Sequence, residues 1–172
     1  MNNAKKEVAV SIEIKNILVA KDLSKESSRV IRYAMTLGCK FHAQVHVLHV
    51  MPTVDHAVLN MVALTMGADK LADFNTKNEA ELAEKTREQL DGIIQTEHEL
   101  MDEKSIHPPK IEVHHGDAAS MILAVADRLD VDMIVLGSHS KGKLHYAFLG
   151  SVAEKVLHKT HRTVVIVPPA ES

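Results

Sequence analysis

The stretch 132–167, DMIVLGSHSKGKLHYAFLGSVAEKVLHKTHRTVVIV, decides the fold. It opens with an apolar run ending at Gly137, crosses a loop of Gly, Ser and Lys, regains an apolar stripe at helical spacing through Leu149, Val152, Ala153 and Val156, and closes on TVVIV at 163–167. Strand, loop, helix, strand in that order is a parallel crossover unit, since parallel neighbours need a long connection and not a hairpin. Working outward, apolar runs of strand length recur at 16–21 (NILVAK), 44–50 (QVHVLHV) and 110–114 (KIEVH), so five short strands are expected. Between them Val30, Ile31, Ala34 and Leu37, and later Met121, Ile122, Val125 and Leu129, each form one helical stripe. A longer polar helix is expected over 69–103, with Ala83, Leu90, Ile94 and Met101 on one side and a solvated charged face on the other. The alternation predicts an α/β fold: a single open five-stranded parallel sheet with right-handed crossovers and helices on both faces. Residues 51–68 are apolar without a clear period, and read either as a loop with a short helix covering the site or as a partner surface.

Length and composition bound the rest. A chain of 172 residues with 45% hydrophobic residues suits one domain with one core, here over the whole of 1–172, with its folded part at about 16–168 and an N-terminal extension at 1–15. Only 3% of residues are aromatic and there is no Trp, so aliphatic side chains must fill the space between layers, which fits a buried sheet. There is no internal repeat and no low-complexity linker. Twenty Lys and Arg against 23 Asp and Glu, a formal net charge of -3, leave no basic footprint for nucleic acid. The lone Cys39 forms no internal disulfide and reads as core, the first residues lack the core of a secretion signal, and no segment has the run of about 18 apolar residues that a membrane span requires. A cytoplasmic protein with no direct membrane contact is expected.

In an open parallel sheet, ligands bind outside the carboxyl ends of the strands, where the strand order reverses. The fourth strand runs into GSHSKGKLHYAFLGSV, which supplies Gly137, Ser138, Ser140 and Gly142 and then Gly150 and Ser151 at a helix start. Glycine lets backbone amides approach a ligand, and a helix N-terminus offers unpaired N–H groups to an anion. The same composition is also ordinary turn chemistry. It is neither a Walker loop nor the dinucleotide fingerprint that follows a first strand.

With these residues in view, the sequence resembles the universal stress protein family. Nucleotide-binding members carry Gly, two residues, Gly, nine residues, then Gly followed by Ser or Thr; here the frame reads Gly137, two residues, Ser140, nine residues, Gly150, Ser151. The resemblance extends through GSVAEKVLHKTHRTVVIVP at 150–168 and begins at NILVAKDLSKESSRVIRYA at 16–34. It implies a Rossmann-like fold of the adenine nucleotide alpha hydrolase type and an adenine-nucleotide ligand, ATP or AMP, with magnesium as a companion to the phosphates. It further implies that Asp22 bonds the ribose, that backbone groups near Val50 meet the adenine, and that Gly137, His139, Ser140, Gly150, Ser151 and Val152 surround the phosphates. The chemistry agrees, for a carboxylate accepts from ribose hydroxyls while amides and hydroxyls donate to phosphate. Asp22 also reads as a helix cap near Ser24. Ser140 departs from the family's glycine; where the backbone has positive φ, serine costs about 1 kcal/mol more than glycine, although its hydroxyl can instead donate to a phosphate. Lys141, Lys143 and Lys21 read either as phosphate counter-charges or as solubilising lysines.

Twelve histidines raise the question of a metal. His46 and His49 are three apart on a strand, and His114 and His115 are adjacent, so neither pair aims two imidazoles at one ion and no metal site is expected. His139 and His145 flank the loop, where His139 reads either as a phosphate donor or as a solvated loop residue. No Gly-x-Ser-x-Gly elbow is present, and no catalytic residue is assigned. Three functions follow: an adenine-nucleotide-binding regulatory protein of the stress response, a dimeric stress-interaction protein that no longer binds nucleotide because of Ser140, or a slow ATPase. The apolar run 163–167, followed by Pro168 and Pro169, reads as an edge strand that is normally covered, and the resemblance implies a homodimer through it. A further protein partner is expected but not named by any residue.

Overall fold

The computed structural model describes residues 12–22, 27–53, 64, 68–101, 107–138 and 149–169, with backbone alone at 27 and 68–78. The elements run β1 (Asn16–Ala20), α1 (Ser27–Phe41), β2 (Gln44–Met51), α2 (Ala68–Glu99), β3 (Lys110–His115), α3 (Ala118–Arg128), β4 (Met133–Gly137), α4 (Ser151–Lys159) and β5 (Thr163–Val167). The five strands form one parallel sheet in the order β3-β2-β1-β4-β5. Each expected strand is present, with ends displaced by a residue or less. The long helix stops at Glu99, so Met101 packs on the core from beyond the helix and not along its stripe.

Alternation along the strands sends successive side chains to opposite faces and so builds two cores. Ile17 and Val19 of β1, Val45 and Val47 of β2, and Met133 and Val135 of β4 meet α1 and α2 through Ile31, Ala34, Met35, Leu90 and Ile94. Leu18, Leu48, Ile134 and Leu136 meet α3 and α4 through Ile122, Val125, Ala126, Ala153 and Val156 on the other face. Strands buried on both faces explain why their sequences read as nearly continuous apolar runs. Cys39 is only half-buried, against the expectation of a core residue.

Local contacts fix where strands begin. Helices α1 and α3 both end through a left-handed residue, His42 at φ 55° and Asp130 at φ 46°. In each, the next N–H reaches back five residues, Ala43 to the Gly38 carbonyl at 2.9 Å and Val131 to that of Ala126 at 3.1 Å, which turns the chain sharply into β2 and β4. Gly38 is required for close packing: a Cβ there would lie 2.5 Å from Val45 Cγ2. Asp132, expected as the first residue of a strand, instead stands just before β4, and its carboxylate accepts from the N–H groups of Lys15 and Asn16 at 2.7 and 2.9 Å. That clasp aligns the starts of β1 and β4, the two strands that flank the reversal of order. Among the described residues no helix is long and apolar enough to cross a membrane.

Candidate functional site

Strand order reverses between β1 and β4: the chain steps from β1 outward to β2 and β3, then returns to the other side of β1 for β4 and β5. The carboxyl ends of β1 and β4 therefore border the crevice in which such sheets hold ligands. Lys21 and Asp22 leave β1 there, level with Gly137 and Ser138 leaving β4, since Ala20 is paired with Leu136.

The start of α4 is held against this edge by backbone bonds. Ser138 N–H donates to the Val167 carbonyl at 3.0 Å, and the Ser138 carbonyl accepts from Gly150 N–H at 2.7 Å. Gly150 is the N-cap of α4, in an extended conformation at φ −62° and ψ 147°, and among the described residues no side chain caps the helix. At α3, by contrast, Asp117 Oδ1 accepts from the Ser120 N–H at 3.0 Å and its hydroxyl at 2.7 Å. The start of α3 thus has a side-chain cap, whereas among the described residues the leading N–H groups of Ser151 and Val152 in α4 have no acceptor, the arrangement that lets a helix start take an anion. The φ of Gly150 is one that any residue adopts, so its lack of a side chain matters for close approach and not for conformation.

The six described candidate residues fall on this edge. Gly137 ends β4, opposite Val167, and Gly150, Ser151 and Val152 form the first turn of α4. Asp22 is half-buried at the end of β1. Val50 lies one strand further, opposite His114, and with Val152 packs on the α3 and α4 core. His139 and Ser140 lie outside the described residues, as do Lys141, Lys143, His145 and most of 51–68. Among the described residues no group of three or more His, Cys, Asp or Glu side chains could hold a metal ion. Among the described residues a cavity of about 710 Å³ opens at the opposite edge of the sheet beside Lys15, Lys40 and Lys110. Volume alone does not make it the site, because open parallel sheets hold ligands outside the carboxyl ends of their strands and this cavity lies at the other edge.

The universal stress protein family model matches residues 13–168. The chain belongs to the universal stress protein family. Among its relatives, universal stress protein Sll1388 of Synechocystis is 31% identical over 153 residues, 88% of this chain and 96% of its own length. Universal stress protein MJ0577 of Methanocaldococcus jannaschii is 25% identical over 158 residues, 92% of this chain and 97% of its own. The solved structure of MJ0577 superposes with a TM-score of 0.71 at 22% identity, covering 94% of this chain and all (100%) of that one. The Archaeoglobus fulgidus universal stress protein in complex with dAMP has a TM-score of 0.54 at 20% identity, covering 90% and 98%. A universal stress protein in complex with cAMP has a TM-score of 0.54 at 16% identity, covering 92% and 100%. These structures share with the present chain the α/β fold built on an open parallel sheet.

Within this family member, one residue of the edge differs from its reading in the sequence. Lys21 is not a solubilising surface lysine; it is 5% exposed. Its N–H still donates to the Leu48 carbonyl at 2.9 Å, so it keeps the phase of Ile17 and Val19 and enters the α1 and α2 side. Burial pushes the Lys21 ammonium below its ordinary pKa, while the charges of Asp22 and then Glu97 hold it up. The alternation of NILVAK gives only the face, which Lys21 shares with Ile17 and Val19; the burial comes from the helices packed on that face. His49, also buried, holds its Nδ1 2.7 Å from the Lys21 carbonyl and so joins the ends of β1 and β2.

Proposed function

We propose that this universal stress protein binds an adenine nucleotide, ATP or AMP, at the carboxyl edge of the sheet and acts as a regulatory module of the stress response. The observation that carries the reading is the start of α4 at Gly150, without a capping side chain among the described residues, joined by a 2.7 Å hydrogen bond to the end of β4, the strand beside the one that Asp22 follows. An anion takes the free N–H groups of the helix, and the Asp22 carboxylate accepts from ribose hydroxyls. Gly137, His139, Ser140, Gly150, Ser151 and Val152 surround the phosphates in this reading, and the strand end at Val50 borders the base. The dAMP and cAMP complexes of family members lend support. Magnesium accompanies ATP through the phosphate oxygens. Binding is the chemistry of the site, and slow hydrolysis of ATP is secondary to it.

The protein is inferred to be a cytoplasmic homodimer of single-domain chains, joined through the edge strand β5, whose Val164, Val165 and Ile166 are only half-buried. Calorimetric titration with ATP and AMP tests the reading: saturable heat is expected, and its absence at millimolar nucleotide overturns it. That negative result selects the second reading, a stress-interaction protein without nucleotide, which the serine at position 140 favours.

A further inference from the structure

The ammonium of Lys21 is a buried group at the carboxyl edge that the nucleotide reading leaves unused. The residue is 5% exposed and its Nζ has no hydrogen-bond partner among the described residues. Removing a polar group from water without an acceptor is costly, and a charged one more so, which directs attention to what the group would bind.

Position narrows the answer. The Lys21 N–H donates to Leu48 of β2, and its carbonyl lies against the His49 ring of β2. The backbone of Lys21 thus bonds toward β2 at the end of β1, while β4 lies on the other flank. Its side chain keeps the phase that faces α1 and α2, whereas α4 packs on the opposite face of the sheet. A nucleotide with its phosphates at Gly150 and its ribose at Asp22 extends toward β2 with its base. Lys21 stands at that end. An ammonium offers three donors and no acceptor, so what it recognises on a base is a ring nitrogen or a carbonyl oxygen.

We propose that Lys21 is a specificity-determining residue of this site, donating a hydrogen bond to an acceptor on the base of the bound nucleotide and making no contact with its phosphate. The proposal rests on the nucleotide reading above, and the test separates the two. Affinities of the full chain and its Lys21→Met variant are measured for AMP, adenosine and ribose 5-phosphate, with melting curves verifying that both proteins fold. The expected result is a loss of about tenfold or more for AMP and adenosine in the variant, with ribose 5-phosphate unchanged. A loss for AMP and ribose 5-phosphate that spares adenosine makes Lys21 a phosphate contact and overturns the proposal. Equal losses for all three ligands, or none, overturn it as well. If wild type binds neither AMP nor adenosine, the nucleotide reading fails and takes this inference with it. Should the variant not fold, wild type is titrated with the deaza analogues of AMP that each lack one ring nitrogen. At least two must bind about tenfold more weakly than AMP, one ring nitrogen for the backbone at Val50 and another for Lys21; a loss confined to a single analogue, or uniform affinity across the series, overturns the proposal.

Discussion

At the scale of the residue, Lys21 contributes a cost that the free protein bears. Its charged form is disfavoured by burial more than it is favoured by Asp22 and Glu97, so an apolar side chain of similar length is better accommodated. Lys21→Met is expected to stabilise the ligand-free protein by about 1 kcal/mol in chemical denaturation. The pH dependence has a definite sign. The folded state releases this proton at lower pH than the unfolded chain, where the group titrates near 10.5. Stability arising from Lys21 therefore rises with pH from its lowered folded pKa up to about 10.5. The advantage of the variant over wild type should be greatest below that window and shrink through it; a constant difference would remove titration of Lys21 as the cause. At Gly150, a valine sets a side chain on the N-cap that a ligand must approach, and a loss of AMP affinity of tenfold or more is expected by calorimetry. The positions of Asp22 just past a strand end and of Gly150 at a helix start were legible in the sequence, because both have local signatures. The burial of Lys21 was not, since it depends on helices that come from elsewhere in the chain.

At the scale of the element, two glycines in helices should respond with opposite signs. In α1, Gly38 packs on β2, and Gly38→Ala brings a Cβ within 2.5 Å of Val45 Cγ2, on a stiff and buried side chain. A loss of about 1–3 kcal/mol is expected from equilibrium unfolding. In α2, nothing lies within 4 Å of a Cβ at Gly92. Gly92→Ala should therefore gain about 0.5–1 kcal/mol through helix propensity alone. The two N-termini differ in the same manner. Asp117→Ala removes the cap of α3 and should lower the melting temperature without changing nucleotide affinity. The hydrogen bonds from the Ser120 hydroxyl and N–H hold the Asp117 carboxyl below its ordinary pKa, so the cap stabilises above that ordinary value and is lost as pH falls through the lowered one. The difference in melting temperature between Asp117→Ala and wild type should accordingly vanish in acid. Element type was readable from periodicity, because apolar spacing is fixed by helix and strand geometry. Ends were less so: the strand at 132 starts at Met133 because Asp132 is engaged in holding Lys15 and Asn16.

At the scale of the whole molecule, a ligand that binds only the folded chain raises stability by mass action, about 2.7 kcal/mol at a concentration one hundred times Kd. AMP should raise the melting temperature of wild type in proportion, and should do so far less for Gly150→Val. If β5 joins two copies, sedimentation should give twice the chain mass of 19.0 kDa; a single-chain mass at micromolar concentration would leave the edge uncovered. The sequence by itself determined the alternation of strands and helices, the parallel sheet and the glycine-rich connection from Gly137 to the start of α4. All of these follow from spacing within short segments, where propensity and turn chemistry act. Only the tertiary structure decided the order β3-β2-β1-β4-β5, and with it which two strand ends open the crevice. It alone showed Asp117 capping α3 while α4 has no side-chain cap among the described residues, and it alone buried Lys21. The reason is physical: register and strand order are set by which apolar faces meet across the sheet, an interaction between segments distant in sequence that no local pattern encodes.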